Sequence, residues 1–337
     1  MTDKARVSVV MPTFNRAHLV GRALASVAGQ TYPDVEMVVV DDGSIDDTQD
    51  VVEGFARDSA VRVICLSQPN RGCAAARNRG LEAASGAFLA FLDSDDEWLP
   101  NAAEALAATL ETTGADFTYS PAVEIYADGT ERVNHPVAAA RPERFAAEHF
   151  ANTNVRNGAF MFRRHVLEAV PELDEQLRHN EDSDFLQRVA IRFRAAYCNT
   201  PTVRVHHHAG NKSSDRVEIY GALLRSAQRV LAENPAFRDE LGRAADRRLR
   251  ELRAKQVEAL LGAGRYDEAR TAAASSDGTF TLRLAAAMRT VLPLHARASL
   301  SRPVRRCLRA TATRLPTRAG TPAATRRRTL ASSRRAS

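Results

Sequence analysis

The 337-residue sequence lacks several features that mark common protein classes. Its four cysteines, Cys65, Cys73, Cys198 and Cys307, have neither the paired spacing of a zinc site nor the density of a disulfide framework. No stretch reaches the roughly eighteen apolar residues that a membrane-spanning helix requires. We therefore expect reduced thiols and no transmembrane segment.

The first six residues also lack the apolar core of a signal peptide. The sequence therefore predicts a cytoplasmic protein. Such a protein can also contact the inner face of the membrane peripherally, and the sequence leaves this alternative open.

Acidic residues are absent from the segment 302–335, which contains eleven arginines. The formal net charge of +6 includes these eleven positive charges, so the remaining chain carries a net charge of −5. This mildly acidic body argues against nucleic acid as a partner. The arginine-rich composition predicts a disordered tail over 301–337, which either acts as a solubilising segment or docks on anionic lipid.

Neither a glycine-rich dinucleotide fingerprint nor a phosphate-binding loop with its lysine follows the first predicted strand. Apolar runs at 7–11, 37–40, 61–66 and 88–92 predict strands instead, and helical patterns separate them. This alternation predicts an α/β protein with a mostly parallel sheet and right-handed crossovers.

Two of the predicted strands run directly into acidic residues. The second is followed by Asp41 and Asp42, and the fourth by Asp93, Asp95 and Asp96. Ligands bind beyond the carboxyl ends of parallel strands, and clustered carboxylates cannot all remain ionised in a dry interior. Oxygen ligands suit Mg²⁺ or Mn²⁺. A solvated turn with an acidic helix cap is the plainer interpretation, but two acidic ends on one edge favour a metal and nucleotide site.

Helical periodicity dominates from residue 215 onward, where aromatic residues become scarce. We predict a domain over 1–214, with a donor half over about 1–115 and an acceptor half over about 116–214. A helical region over 215–300 follows and includes an αα-hairpin at 252–274.

The order and spacing of the motifs resemble those of the inverting family 2 glycosyltransferases, which have the GT-A fold. The resemblance covers roughly residues 7–214. It rests on the segments VVMPTFN at 9–15, VVDDGS at 39–44, NRG at 70–72 with ARN at 76–78, FLDSDD at 91–96, and ED at 181–182. It implies an enzyme of cell-envelope polysaccharide biosynthesis.

In such an enzyme, a nucleotide-diphospho-sugar donates a sugar to a hydroxyl of a polysaccharide, a lipid-linked glycan or another cell-surface glycoconjugate. A UDP-sugar is the donor that we expect. Nucleotidyltransferases also place acidic residues at strand ends, so they remain an alternative. A membrane-docking scaffold, dominated by the C-terminal helices and the basic tail, is another.

The resemblance also implies roles for residues of the donor site. Pro12 and Phe14 belong to the loop that holds the nucleoside, with Phe14 stacked near the base or simply packed under the loop. Asp41 or Asp42 accepts a hydrogen bond from a base N–H. Arg77 lies near the diphosphate.

The remaining implied roles concern the metal and the reaction. Asp93 lies near the ribose, and Asp95 of the DXD motif binds Mn²⁺ or Mg²⁺. Asp96 is expected to cap the following helix.

Asp182 is the expected general base, with a helix-capping role as the alternative and Glu181 as the second candidate. One of the three adjacent histidines is expected to close over the donor. The spacing to Ser213 favours His208 over His206 and His207.

Overall fold

The computed structural model describes residues 4–136, 141–152, 154–208 and 215–274. The strands are β1 (Val7–Thr13), β2 (Val35–Asp41), β3 (Arg62–Ser67), β4 (Phe88–Phe91), β5 (Glu97–Trp98), β6 (Phe117–Tyr119), β7 (Ala122–Ile125), β8 (Glu131–Asn134), β9 (Phe160–Arg163), β10 (Ala195–Tyr197) and β11 (Val203–His206). The helices are α1 (Val20–Ala28), α2 (Thr48–Asp58), α3 (Cys73–Ala83), α4 (Ala102–Thr113), α5 (Phe145–Ala151), α6 (Val166–Ala169), α7 (Glu181–Arg192), α8 (Arg216–Glu233), α9 (Pro235–Leu241), α10 (Arg243–Gly262) and α11 (Tyr266–Ala274). A short 3-10 helix, Pro142–Arg144, precedes α5.

Seven strands form the main sheet in the order β10-β6-β9-β4-β1-β2-β3. Strands β4, β1, β2 and β3 pair in parallel, whereas β9 is antiparallel to both β4 and β6. The strands β1, β2 and β4 are buried along their whole length, which explains their nearly continuous apolar sequence. The predicted α/β fold with a mostly parallel sheet is confirmed.

A smaller sheet has the strand order β5-β11-β7-β8. Strand β11 pairs in parallel with β7 and antiparallel with β5, so it holds the segment after β4 against the hairpin of β7 and β8. Neither β5 nor β10 was predicted, because segments of two and three residues show no readable periodicity.

An aromatic cluster fixes α7 beneath the main sheet. The ring of Phe185 on α7 lies 5.9 Å from that of Phe91 on β4 and 5.4 Å from that of Phe162 on β9. All three side chains are almost completely buried. The start of α7 is thereby tied to the end of β4, which the predicted metal motif follows.

A buried carboxylate joins α7 to α8. Asp184 accepts hydrogen bonds from Ser226 Oγ at 2.6 Å, Arg229 Nη2 at 2.7 Å and Arg188 Nε at 2.9 Å. Arg229 also forms an ion pair with Asp174, in the loop before α7. The helices after residue 214 therefore pack directly on the helix that carries the predicted base.

One compact unit extends to Ala272, and a second unit begins at Ala273, of which only the first two residues are described. The domain boundary predicted at residue 214 falls within the first unit. The division into a catalytic domain and a separate helical region therefore stays a prediction. The helix, break and helix of the predicted αα-hairpin are present as α10 and α11, and their packing as a hairpin stays a prediction. The predicted helices beyond residue 274 and the tail over 301–337 lie outside the described residues.

The described cysteines, Cys65, Cys73 and Cys198, form no disulfide with one another. Within the described ranges, no helix has the length and apolar character needed to cross a membrane.

Substitution of Gly80 tests the close packing of α3 on β1. A Cβ at Gly80 would overlap the Cγ1 of Val10, so we expect Gly80→Ala to destabilise the fold by about 1–3 kcal/mol. Gly54 in α2 is the matched control, because a Cβ there would meet only the Nη2 of Arg57 at 3.6 Å. Gly54→Ala should be neutral or stabilising by about 0.5–1 kcal/mol. Equal effects of the two substitutions in urea unfolding would contradict the packing.

Candidate active site

The acidic residues that follow β2 and β4 lie at one edge of the main sheet, beside a cavity of about 460 Å³. Eight of the ten predicted site residues line this cavity: Pro12, Phe14, Asp42, Arg77, Asp93, Asp95, Glu181 and Asp182. Asp41 and His208 are not among the lining residues. The cavity therefore brings together predicted site residues that are up to 170 positions apart in the sequence.

The two carboxylates of the Asp41-Asp42 turn have different partners. Asp41 accepts hydrogen bonds from the backbone N–H and the hydroxyl of Ser44. Asp42 accepts from Gln68 Nε2 at 2.8 Å and from the backbone N–H groups of residues 71–72 at 2.9 and 2.8 Å. A carboxylate offers about four acceptor positions, so Asp42 Oδ2 retains one that no described residue fills. Of these two candidates for contact with the nucleobase, Asp42 is the one that lines the cavity.

Arg77 connects two acidic walls of the cavity. Its side chain is 3% exposed, and it donates to Asp93 Oδ1 and to Glu181 Oε1, each at 2.7 Å. Burial by itself would lower the pKa of Arg77, but the surrounding negative groups raise it, so the guanidinium stays charged. The geometry makes Arg77 a bridge between the end of β4 and the start of α7, and three of its five N–H donors make no hydrogen bond to the described residues.

Three carboxylates form a group that suits a hard cation. Asp93, Asp95 and Asp96 each place an oxygen within 4.8 Å of the other two. Burial, and then the neighbouring carboxylates, raise the pKa of Asp96 well above its ordinary value. This concentration of negative charge fits Mg²⁺ or Mn²⁺.

Asp96 does not cap the following helix, so that prediction was wrong. Residues 97–98 form β5, and α4 begins only at Ala102, with Asn101 before it. Asp96 instead accepts the backbone N–H of His206 at 3.0 Å and so holds β11 beside the acidic turn.

The three adjacent histidines point to different partners. His206 Nε2 lies 2.6 Å from Glu97 Oε1, and the ring of His207 stacks on a tyrosine with 4.7 Å between centroids. His208 Nε2 lies 3.1 Å from Asp95 Oδ2. Among these three, His208 is therefore the one beside the predicted metal ligand. The Ser213 used in the sequence argument lies outside the described residues.

Asp182 lies in the first turn of α7, on the cavity wall. The residue before the helix is Asn180, so Asp182 is not its N-cap. Asp182 accepts the backbone N–H of Ser183 at 2.7 Å. Burial, and then the carboxylate of Glu181, raise the pKa of Asp182 to about 6, although Arg77 opposes this shift. Such a carboxyl group is suited to accept a proton near neutral pH.

Asn157 is a lining residue that sequence reasoning missed. Its Nδ2 donates to Asp93 Oδ1 at 2.7 Å, so that oxygen is shared with Arg77. Its own Oδ1 is buried and has no hydrogen-bond partner within the described chain. Asn157 belongs to a stretch without readable periodicity, and only its polarity shortly before an apolar strand could have indicated it.

Arg156 reaches the cavity wall because Glu124 holds it. Arg156 Nε donates to Glu124 Oε1 at 2.8 Å, Asn134 Nδ2 donates to the same oxygen at 2.9 Å, and the hydroxyl of Tyr126 donates to Oε2 at 2.7 Å. Burial alone would raise the pKa of Glu124, but these hydrogen bonds outweigh it and lower the pKa to about 2.

Glu124→Gln should reduce stability at neutral pH by about 1.5–3 kcal/mol, the usual contribution of hydrogen bonds to a charged group. The pKa of Glu124 falls from 4.5 to about 2 on folding, so the stabilisation is fully present above pH 4.5 and is lost as the pH falls toward 2. Thermal unfolding should therefore show the wild-type and variant curves converging over this range. The exposed Glu131, changed to Gln, is the control. A difference that stays constant down to pH 2 would contradict the account.

The fold and the cavity define a class of protein. A mostly parallel sheet carries a metal-suited carboxylate group at its carboxyl edge, beside a carboxyl group with a raised pKa. This combination is typical of glycosyltransferases with the GT-A fold.

Comparison with known proteins identifies the family. The profile described as Glycosyl transferase family 2 matches residues 8–170. EpsH of Bacillus subtilis (strain 168), named as a glycosyltransferase, is 30% identical over 247 residues, which are 69% of this chain and 69% of EpsH. The chain belongs to glycosyltransferase family 2, and the predicted resemblance and enzyme class are confirmed. The nucleotidyltransferase alternative does not fit this family.

Other relatives match over shorter segments. The Escherichia coli enzyme WfgD, a UDP-Glc:alpha-D-GlcNAc-diphosphoundecaprenol beta-1,3-glucosyltransferase, is 38% identical over 117 residues, which are 35% of this chain and 46% of WfgD. The chain thus spans less than half of the length of that relative.

Solved structures show the same fold. Staphylococcus aureus TarS 1-349 in complex with UDP-GlcNAc has a TM-score of 0.57 at 20% identity, over 87% of this chain and 83% of that one. The mannosyltransferase PcManGT from Pyrobaculum calidifontis, in complex with GDP-Man and Mn²⁺, has a TM-score of 0.55 at 22% identity, over 93% and 87%.

Proposed function

We propose that this glycosyltransferase is an inverting, metal-assisted enzyme that moves a sugar from a UDP-sugar to a hydroxyl of a lipid-linked glycan or polysaccharide. One observation carries the proposal. Asp182, which is suited to proton abstraction, lines the same cavity as the cluster of carboxylates after β4, which is suited to a cation. Arg77 connects the walls that carry them.

The donor side of the cavity fits a nucleoside. Phe14 is 40% exposed and offers its ring to a base, and the open position on Asp42 Oδ2 can accept a base N–H such as that of uracil. Asp93 Oδ1 is engaged by Arg77 and Asn157, so its other oxygen is the one available to a ribose hydroxyl.

Asp95 would hold Mn²⁺ or Mg²⁺ together with a neighbouring carboxylate of the group. Such an ion neutralises the diphosphate leaving group when it is bound. Arg77 lines the same cavity and adds positive charge, which favours the binding of a diphosphate. Asn157 and Arg77 together keep Asp93 in place.

Asp182 would accept the proton of the acceptor hydroxyl. The hydroxyl oxygen forms a bond to the anomeric carbon while the bond from that carbon to the diphosphate breaks, and the nucleoside diphosphate departs from the opposite face. This single displacement inverts the anomeric configuration. Glu181 is committed to Arg77, so Asp182 is the better candidate for the base.

The comparisons support the substrate classes. TarS was solved with UDP-GlcNAc, and WfgD is named for a UDP-sugar donor and a diphosphoundecaprenol acceptor. We infer a UDP-sugar donor and a glycan acceptor for this chain as well, with peripheral action at the cytoplasmic face of the membrane. The role proposed for the basic tail falls outside the described residues.

A donor panel tests the proposal. Nucleotide-sugars are screened by thermal shift with Mn²⁺, and the best binder is then incubated with glycan acceptors while the product is followed by NMR. We expect a UDP-sugar to bind, nucleoside diphosphate to be released and the anomeric configuration to invert. Retention of configuration would contradict the mechanism, and metal-independent transfer would contradict the role of the cation.

A further inference from the structure

The arginines that line the cavity differ in whether their charge is already balanced. Arg77 and Arg156 hydrogen-bond carboxylates, and Arg16 Nε lies 3.8 Å from Asp95 Oδ2. Arg178 also lines the cavity, but in the described part of the chain it has no hydrogen bond and no ion pair. Arg178 is therefore the lining arginine whose positive charge is available to a ligand.

Arg178 lies on the same segment of the cavity wall as the proposed base. It precedes Asp182 by four residues, in the loop between α6 and α7. The adjacent His179 lines the cavity too and likewise has no partner among the described residues. Two basic side chains therefore line the cavity on the segment that leads into the helix of the proposed base.

The loop that carries these side chains is anchored at both ends. Asp174, at its start, is held by Arg229 of α8, and the side chain of Leu177 is buried. At its end, Asn180 adopts φ = 67°, a left-handed conformation that is unfavourable for a residue other than glycine. Such strain persists only where the surroundings hold the backbone, and it is common at ligand sites. The anchoring gives Arg178 a defined place on the cavity wall.

We propose that Arg178, with His179 beside it, binds a phosphate group of the acceptor. This inference rests on the proposed function and narrows it: the acceptor sugar carries a phosphate near the attacking hydroxyl. In the proposed function, the donor diphosphate is served by the cation that the carboxylates hold and by Arg77, which is already paired with Asp93 and Glu181. A second anion-binding position, on the segment that carries the base, therefore suits the acceptor, and an unpaired guanidinium is well shaped for phosphate.

The test uses the full-length protein saturated with UDP and Mn²⁺, so that the donor site is filled. n-Butyl diphosphate represents a lipid-linked diphosphate, and glycerophosphoglycerol represents a polyol-phosphate polymer. Each is titrated calorimetrically into wild type, Arg178→Ala and Arg178→Lys. Arg192→Ala is the matched control, because Arg192 is exposed at the far end of α7 and, among the described residues, donates only to the carbonyl of Arg188.

We expect one of the two probes to bind wild type, and its affinity to fall about five- to tenfold in Arg178→Ala. Arg178→Lys should recover only part of the loss, because it keeps the charge but not the planar guanidinium. The control should match wild type, and added salt should weaken binding to wild type more than to Arg178→Ala. The probe that binds identifies the source of the phosphate. UDP affinity should be the same in all four proteins.

Equal probe affinity in wild type and Arg178→Ala would overturn the inference, and so would failure of both probes to bind. Reduced UDP affinity in Arg178→Ala would place the residue on the donor side and would also overturn it. Failure of wild type to bind UDP is a different outcome, because it contradicts the proposed function itself and the inference with it.

Discussion

Replacing Asp182 with Asn should lower the kcat of sugar transfer by about 10²–10⁴-fold, the usual contribution of a positioned general base. Asparagine keeps the size of the side chain but cannot take the proton of the acceptor hydroxyl. UDP affinity should be unchanged, because the carboxylate cluster after β4 and the residues proposed to contact the nucleobase lie on other segments. Single-turnover assays with saturating donor measure the loss directly.

The same residue should set the pH dependence of the wild-type enzyme. Burial and the neighbouring Glu181 raise the pKa of Asp182 to about 6, and a base acts only when it is ionised. The logarithm of kcat/KM should therefore rise with unit slope below about pH 6 and level off above it. Asp182→Asn should lose this acid limb from its residual activity.

The melting temperature of Asp182→Asn distinguishes a loss of catalysis from a defect in folding. The pKa of Asp182 in the folded protein lies above the ordinary value of 3.8, so its ionisation costs stability as the pH rises from about 4 to about 6. Asparagine removes this cost, so the variant should melt at the same temperature as wild type or higher at pH 7. The exposed Asp58, changed to Asn, is the control and should alter neither rate nor melting. Normal transfer by a folded Asp182→Asn enzyme would rule out the assignment.

Sequence patterns predicted the parts of this site that depend on chain order. The strands β1, β2 and β4 are continuous apolar runs, so their ends and the acidic residues after them could be placed on one sheet edge. The contacts that orient each carboxylate could not be predicted, because they come from distant segments. Asp41 turns to Ser44 while Asp42 is held by residues 68–72, and no local pattern distinguishes the two.

The same limit explains the error at Asp96. An acidic residue shortly before a helical pattern resembles a cap, but the intervening residues pair with β11 as β5. Pairing across 105 positions overrides the local preference. Asn157 was missed for a related reason, since its contact with Asp93 depends on how β9 enters the sheet.

Asp95→Asn should lower the transfer rate by about 10²–10³-fold and weaken Mn²⁺ binding, because it removes a charged oxygen from the proposed cation site. Electron paramagnetic resonance of free Mn²⁺ measures the affinity without any turnover. Asp58→Asn serves again as the control for loss of one negative charge. Unaltered Mn²⁺ affinity in Asp95→Asn would contradict the ligand assignment.

The Asp95 and Asp182 variants should also fail in different ways, because the two residues serve different bonds. In the proposed mechanism Asp95 would act where the bond to the diphosphate breaks, so the slowed Asp95→Asn enzyme should keep an acid limb near pH 6. Asp182 would act where the new bond forms, so Asp182→Asn should keep the Mn²⁺ affinity of wild type. If either variant lost both the acid limb near pH 6 and the Mn²⁺ affinity of wild type, the two carboxylates would act as a single unit. The proposed division between general base and metal ligand would then be wrong.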